Sequence, residues 1–210
     1  MLHAQSQVEA EVTDAKARVL SPEDELRAQH YRLLAHFLTA APHARDLQMA
    51  AALSADEATT LGRAVNALAD AAGKTDEVAE GDAYQELFIG LGRGILVPYG
   101  SYYLTGFLHE KPLARLRVEM SELGIQRNDG VKEPEDHISS ILEMMAGLIA
   151  GDFGEIPQER QRSFFAAHVN TWAGHFFRDL SLDTTSNFYA ALGTLGGVFL
   201  EVEEHALRLD

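Results

Sequence analysis

Cysteine is absent from all 210 residues, which removes disulfide frameworks, thiolate metal sites and thiol nucleophiles at once. Basic residues are scarce: 17 Lys and Arg stand against 32 Asp and Glu, for a formal charge of −15. Nucleic-acid binding needs clustered Lys and Arg to neutralise phosphates, so that class of partner is excluded. A basic partner suits the charge, and acidity also serves solubility alone. No apolar run reaches membrane-spanning length, so no stable membrane insertion is expected. Residues 1–20 lack the apolar block of a secretory signal, and no Arg-Arg pair occurs. The chain is therefore expected in the cytoplasm.

What is present is helical periodicity. Ser21, Pro22, Glu23 and Asp24 read as an N-cap, a first-turn proline and acids that favour the positive helix end. Leu26, Leu33, Leu34, Phe37 and Leu38 follow at helical spacing. Further helices are predicted around 42–53, from a Ser54/Glu57 capping box to Gly73, from Asp76 through Phe88, and from Pro112 to Gly124. Another follows Pro134, one runs from Pro157 to Leu180, and the last from Asp183 to Leu207. The interval holding Gly90, Gly92, Gly94 and Pro98 reads as a loop, and Ile125 to Lys132 as an exposed connection and hinge. No segment alternates like a strand. The expectation is an all-α single bundle of about eight to ten helices over 21–210, or two lobes joined near 125–133. Residues 1–20 are expected to be a mobile or weakly helical arm.

Several chemistries fail on spacing. None of the nine histidines has a glutamate three positions before it, and no His-Glu-x-x-His motif occurs, so no metal is expected in the bundle. Gly73, Lys74 and Thr75 lack the glycine and strand of a phosphate loop, and Gly90, Gly92 and Gly94 lack the dinucleotide spacing. Ser101 lies in a Gly/Pro-rich segment, but adjacent helical residues point about 100° apart, which prevents Asp136 from orienting His137 as a triad acid would. A hydrolase or metal-dependent enzyme using Asp136, His137 and His168 is the rival reading.

Two segments stand out. Glu133, Pro134, Glu135, Asp136 and His137 open a helix, where the macrodipole favours the carboxylates and keeps the imidazole neutral. Tyr99, Tyr102 and Tyr103, with Phe88 before them, offer rigid amphipathic surface. Capping with core packing explains both segments as well as recognition does.

Five blocks occur in order along the chain: Tyr84-x-x-Leu87-Phe88-x-Gly90, Pro98-Tyr99-x-Ser101-x-Tyr103, Glu133-Pro134-x-Asp136-His137, His168-x-x-x-Trp172 and Phe188-Tyr189-x-Ala191-Leu192-Gly193. Together they resemble the TorD/DmsD family of cytoplasmic chaperones that mature exported molybdenum enzymes. The resemblance implies a non-enzymatic, all-helical protein without a cofactor. It would bind the twin-arginine signal peptide of an apo molybdoenzyme and delay its export, as a monomer or a homodimer. The leader-binding surface it implies comprises Leu87, Phe88, Tyr99, Ser101, Tyr103, Asp136 and His137, with Glu133 and Glu135 adding attraction for arginine. Gly92 through Pro98 resembles a subgroup associated with formate dehydrogenases, which makes such an enzyme the expected client.

Overall fold

The computed structural model describes residues 20–127 and 133–209. Residues 1–19 of the expected N-terminal arm, and residues 128–132 of the expected hinge, lie outside the described residues. Among the described residues there are ten α-helices and no strand, so the fold is all-α as expected. In chain order they are α1 (Pro22–Thr39), α2 (Ala44–Ala51), α3 (Thr60–Ala72), α4 (Glu77–Tyr84), α5 (Gly100–Thr105), α6 (Lys111–Glu122), α7 (Ile138–Ala150), α8 (Gln158–Phe164), α9 (Ala173–Leu182) and α10 (Asn187–Leu209).

The central helix is α7. Ile138, Ile141, Leu142, Met145, Leu148 and Ile149 are all buried, because a helix that is apolar nearly all round must be enclosed by others. The α1 helix lies along it, contributing Tyr31, Leu34, Phe37 and Leu38 to the core. On another flank α10 packs against α9 and α3. One core cluster joins Leu116, Met120 and Ile125, before the connection, to Ile138 and the helices after it.

Local chemistry sets the boundaries. Ser21 Oγ accepts the Asp24 N–H at 3.0 Å, as its cap pattern predicts, and Asp76 Oδ1 accepts the N–H groups of Val78 and Ala79 where the helical pattern resumes. The start of α3 differs from expectation. Its N-cap is Thr59, whose hydroxyl accepts the Gly62 N–H at 2.9 Å, while Ser54 lies outside the helix. The run expected as one helix from Pro157 to Leu180 is two: α8 widens into a π-helical turn over Phe165–Val169 and breaks before α9 at Trp172, with φ −151°. There the indole Nε1–H donates to the His168 carbonyl at 2.8 Å, so a side chain takes over a backbone carbonyl at the break. A similar π-helical turn over Gln85–Ile89 ends α4.

Candidate functional site

The two sequence segments meet. Tyr99 and His137 form an isolated antiparallel bridge, framed by the Gly100 N–H donating to the Asp136 carbonyl at 2.9 Å and the Ile138 N–H donating to the Pro98 carbonyl at 2.8 Å. Chain crossing of this kind fixes the starts of α5 and α7 side by side. Asp136 completes the junction: its Oδ2 accepts the Ser101 N–H at 2.7 Å, capping α5 from outside that helix.

Asp136 is 2% exposed, and its Oδ1 has no hydrogen-bond partner among the described residues. The residue lines a groove of about 410 Å³ between α5, α6 and the α8–α9 break. Leu104, Thr105, Pro112, Leu116 and Trp172 supply much of the wall, with Arg115 and His168 as its basic groups. His168 Nε2 lies 2.8 Å from Glu119 Oε2. Close packing shapes this wall, since a Cβ on Gly100 would stand 3.0 Å from Trp172 Nε1. Trp172, Leu104 and Arg115 were not singled out from sequence as site residues; for Trp172 the His168-x-x-x-Trp172 block was the available signal.

His137 is buried, and its Nδ1 lies 2.8 Å from the Ser139 hydroxyl. Burial pulls its pKa down to about 4, so the imidazole is neutral at physiological pH. Its ring meets Tyr99 edge-on at 5.1 Å. The Tyr99 hydroxyl donates to Glu133, which is exposed. Glu135 is less available: Arg117 donates to it twice, at 3.0 and 2.8 Å, and Arg127 stands at 3.6 Å. Burial alone would raise the Glu135 carboxyl, but these arginines outweigh it and hold it below the usual range.

Of the remaining candidates, Leu87 is wholly buried and Phe88 packs edge-on against Tyr189 at 5.5 Å, so both belong to the core and its margin. Tyr103 packs on Trp172 at 5.6 Å and donates its hydroxyl to Asp179 Oδ2 at 3.2 Å. Burial, then Asp179, pushes its phenol pKa up. Ser101 is fully buried and its hydroxyl is unpartnered. With His137 turned to Ser139, no Ser101–His137 nucleophile and base pair forms. Among the described residues no group of three or more His, Asp or Glu is placed to hold a metal ion, and no helix is long and apolar enough to cross a membrane.

The site residues thus divide. Tyr99, Ser101, Glu133, Asp136 and His137 share one junction, Tyr103 flanks it through Trp172, and Leu87 and Phe88 sit on the core side of the preceding element.

Comparison with known proteins places this architecture. A model of the nitrate reductase delta subunit family matches residues 54–178, more than half of the chain. TorD from Shewanella loihica, a chaperone protein, is 28% identical over 89% of this chain and 95% of its own length. TorD from Vibrio cholerae is 28% identical over 58% of this chain, which spans only 59% of that relative. DmsD from Haemophilus influenzae, described as a Tat proofreading chaperone, is 35% identical over 54% of this chain and 55% of its own length. A crystal structure described as a redox enzyme maturation protein, from Archaeoglobus fulgidus, superposes with TM-score 0.57 at 19% identity, covering 90% of this chain and 99% of that one. That likeness bears on the fold. The chain therefore belongs to the nitrate reductase delta subunit family, the family of the TorD and DmsD maturation chaperones.

Proposed function

We propose that this protein is a cytoplasmic maturation chaperone that binds the twin-arginine signal peptide of a molybdopterin-dependent oxidoreductase and delays its export while the cofactor is inserted. The observation that carries the reading is the double engagement of Asp136, which holds the start of the aromatic helix α5 and lines an apolar groove beside it. The groove suits a guest with an apolar segment, and among the described residues no nucleophile is paired with a base around it. Burying about 300 Å² of apolar leader surface at roughly 25 cal/mol/Å² gives about 7 kcal/mol before ordering costs, short of the about 8 kcal/mol net that micromolar binding requires, so polar contacts to the leader must supply the remainder. A formate dehydrogenase is the proposed client, on the strength of the Gly92–Pro98 segment.

Calorimetry with a twin-arginine leader fused to an inert carrier tests this. The fusion is expected to bind at micromolar concentration, and the leaderless client far more weakly. The reverse ranking would replace leader recognition with recognition of the enzyme body. Co-purification from the native host is expected to yield a molybdoenzyme subunit, with a formate dehydrogenase identifying the client.

A further inference from the structure

The carboxylates expected to attract a leader's arginines are largely committed inside the chain. Asp136 is buried against Ser101, Glu135 is held by Arg117 and Arg127, and Glu133 accepts from Tyr99. A different surface has what the basic head of such a peptide needs. Asp82 on α4 and Glu86 in the π-helical turn after it line a groove of about 550 Å³ with the glycine loop that follows. Neither carboxylate has a hydrogen bond or ion pair with any described residue, in contrast to Asp76 and Glu77, which line another concavity but bond to backbone N–H groups.

Apolar side chains stand around this pair in water. Leu91 is 108% exposed, and Ile89 and Ile95 are 51% and 50% exposed. Isolated exposed leucines are ordinary, but Leu91 and Ile95 line the same groove as the two free carboxylates, and apolar groups rimmed by polar ones suit an interaction surface. The one cation in the lining, Arg93, is already engaged: it donates to the Tyr102 hydroxyl at 3.0 Å and lies 5.8 Å from that ring's centre. Tyr102 belongs to α5, whose Leu104 lines the Asp136 groove. Arg93 thus ties the wall of one concavity to the short helix that lines the other, and α5 itself is about 9 Å long at 1.5 Å per residue, a length that a few extended peptide residues cover.

We infer that Asp82 and Glu86, with Leu91 beside them, receive the arginine-bearing head of the leader while the Asp136 groove takes its apolar part. This rests on the leader-binding reading. Two arginines set beside two unpartnered carboxylates at a solvent-exposed rim gain attraction and encounter rate without a buried charge.

The test is calorimetry on the full chain at two ionic strengths, using a carrier-fused synthetic leader with two consecutive arginines before an apolar stretch, and the same leader with both arginines replaced by glutamine. Asp82→Asn/Glu86→Gln is expected to weaken the arginine leader roughly tenfold and to flatten its salt dependence. The glutamine leader is expected to bind parent and variant alike. Helical content and Tm should match the parent, because neither carboxylate supports the fold. Leu91→Ser should weaken both leaders to the same degree. Parent-like affinity and salt slope in the double variant, with the loss appearing in Glu133→Gln instead, would overturn the assignment. Failure of the parent protein to bind either leader would remove the leader-binding reading itself, and this inference with it.

Discussion

Asp136 and Ser101 are 35 positions apart in sequence, yet the Asp136 carboxylate accepts the Ser101 N–H at 2.7 Å and so serves as the N-cap that α5 does not supply for itself. Tyr99, the residue at the cap position, makes no side-chain capping bond. Removing this acceptor with Asp136→Ala is expected to cost about 1–2 kcal/mol. Asp136→Asn keeps an oxygen for the Ser101 N–H and should cost a fraction of that. Urea unfolding of the two variants separates them. Equal losses would mean that the charge, and not the hydrogen bond, is what the fold uses.

His137 makes stability depend on pH in a defined window. Its folded pKa of about 4 lies below the ordinary histidine value of 6.5. Between these values the unfolded chain binds the proton and the folded chain does not, so stability rises with pH there. The contribution is fully present above pH about 6.5 and is lost as pH falls towards about 4, amounting to about 3 kcal/mol. His137→Asn retains a capping side chain without a titrating ring. Its stability, measured by chemical denaturation across this range, should vary less with pH than the parent's. An unchanged slope would assign the dependence to other groups.

Much of the fold was legible because helix starts and stripes are local. Ser21, Asp76 and the Ile138–Ile149 stripe act within a turn or two of themselves, and the sequence reading placed them correctly. The misses are tertiary. Nothing near Gly100 announces a helix, since its cap comes from Asp136, and nothing in the His168–Trp172 spacing reveals that the indole bonds to the His168 carbonyl where the helix breaks. At the site, the family resemblance put Tyr99 and His137 on one surface, and the two residues do meet. The commitment of Glu135 did not, because it depends on Arg117 from α6.

Two glycines on α10 should respond in opposite directions to the same substitution. A Cβ on Gly193 would stand 2.5 Å from the Ser181 N and 2.8 Å from the Phe177 carbonyl oxygen, both rigid backbone of α9. A Cβ on Gly197 meets nothing within 4 Å. Gly193→Ala must push α9 from α10 and is expected to destabilise by about 1–3 kcal/mol. Gly197→Ala gains helix propensity and should stabilise by roughly 0.5–1 kcal/mol. Thermal unfolding of both variants reads the sign directly.

Glu203 gathers three donor bonds into one buried carboxylate. Arg27 Nε donates to Oε1 at 2.7 Å, while Arg27 Nη2 and the Tyr31 hydroxyl donate to Oε2 at 3.0 and 3.1 Å. This joins α1 to α10 across 176 positions of chain. Glu203→Met leaves the Arg27 charge and the Tyr31 hydroxyl without that acceptor, at an expected cost of about 3–5 kcal/mol. Glu203→Gln is nearly isosteric but turns an NH₂ towards a donor, so it should recover only part of the loss. Arg27→Met/Glu203→Met removes both charges and is expected to be more stable than Glu203→Met alone, because the guanidinium left in place keeps only Asp24, at 2.8 Å from Nη1, as an anionic partner while its Nε and Nη2 lose theirs. Denaturation of the single and paired variants supplies the comparison. A paired variant no better than Glu203→Met would show that packing around α10, rather than the buried charge, sets the penalty.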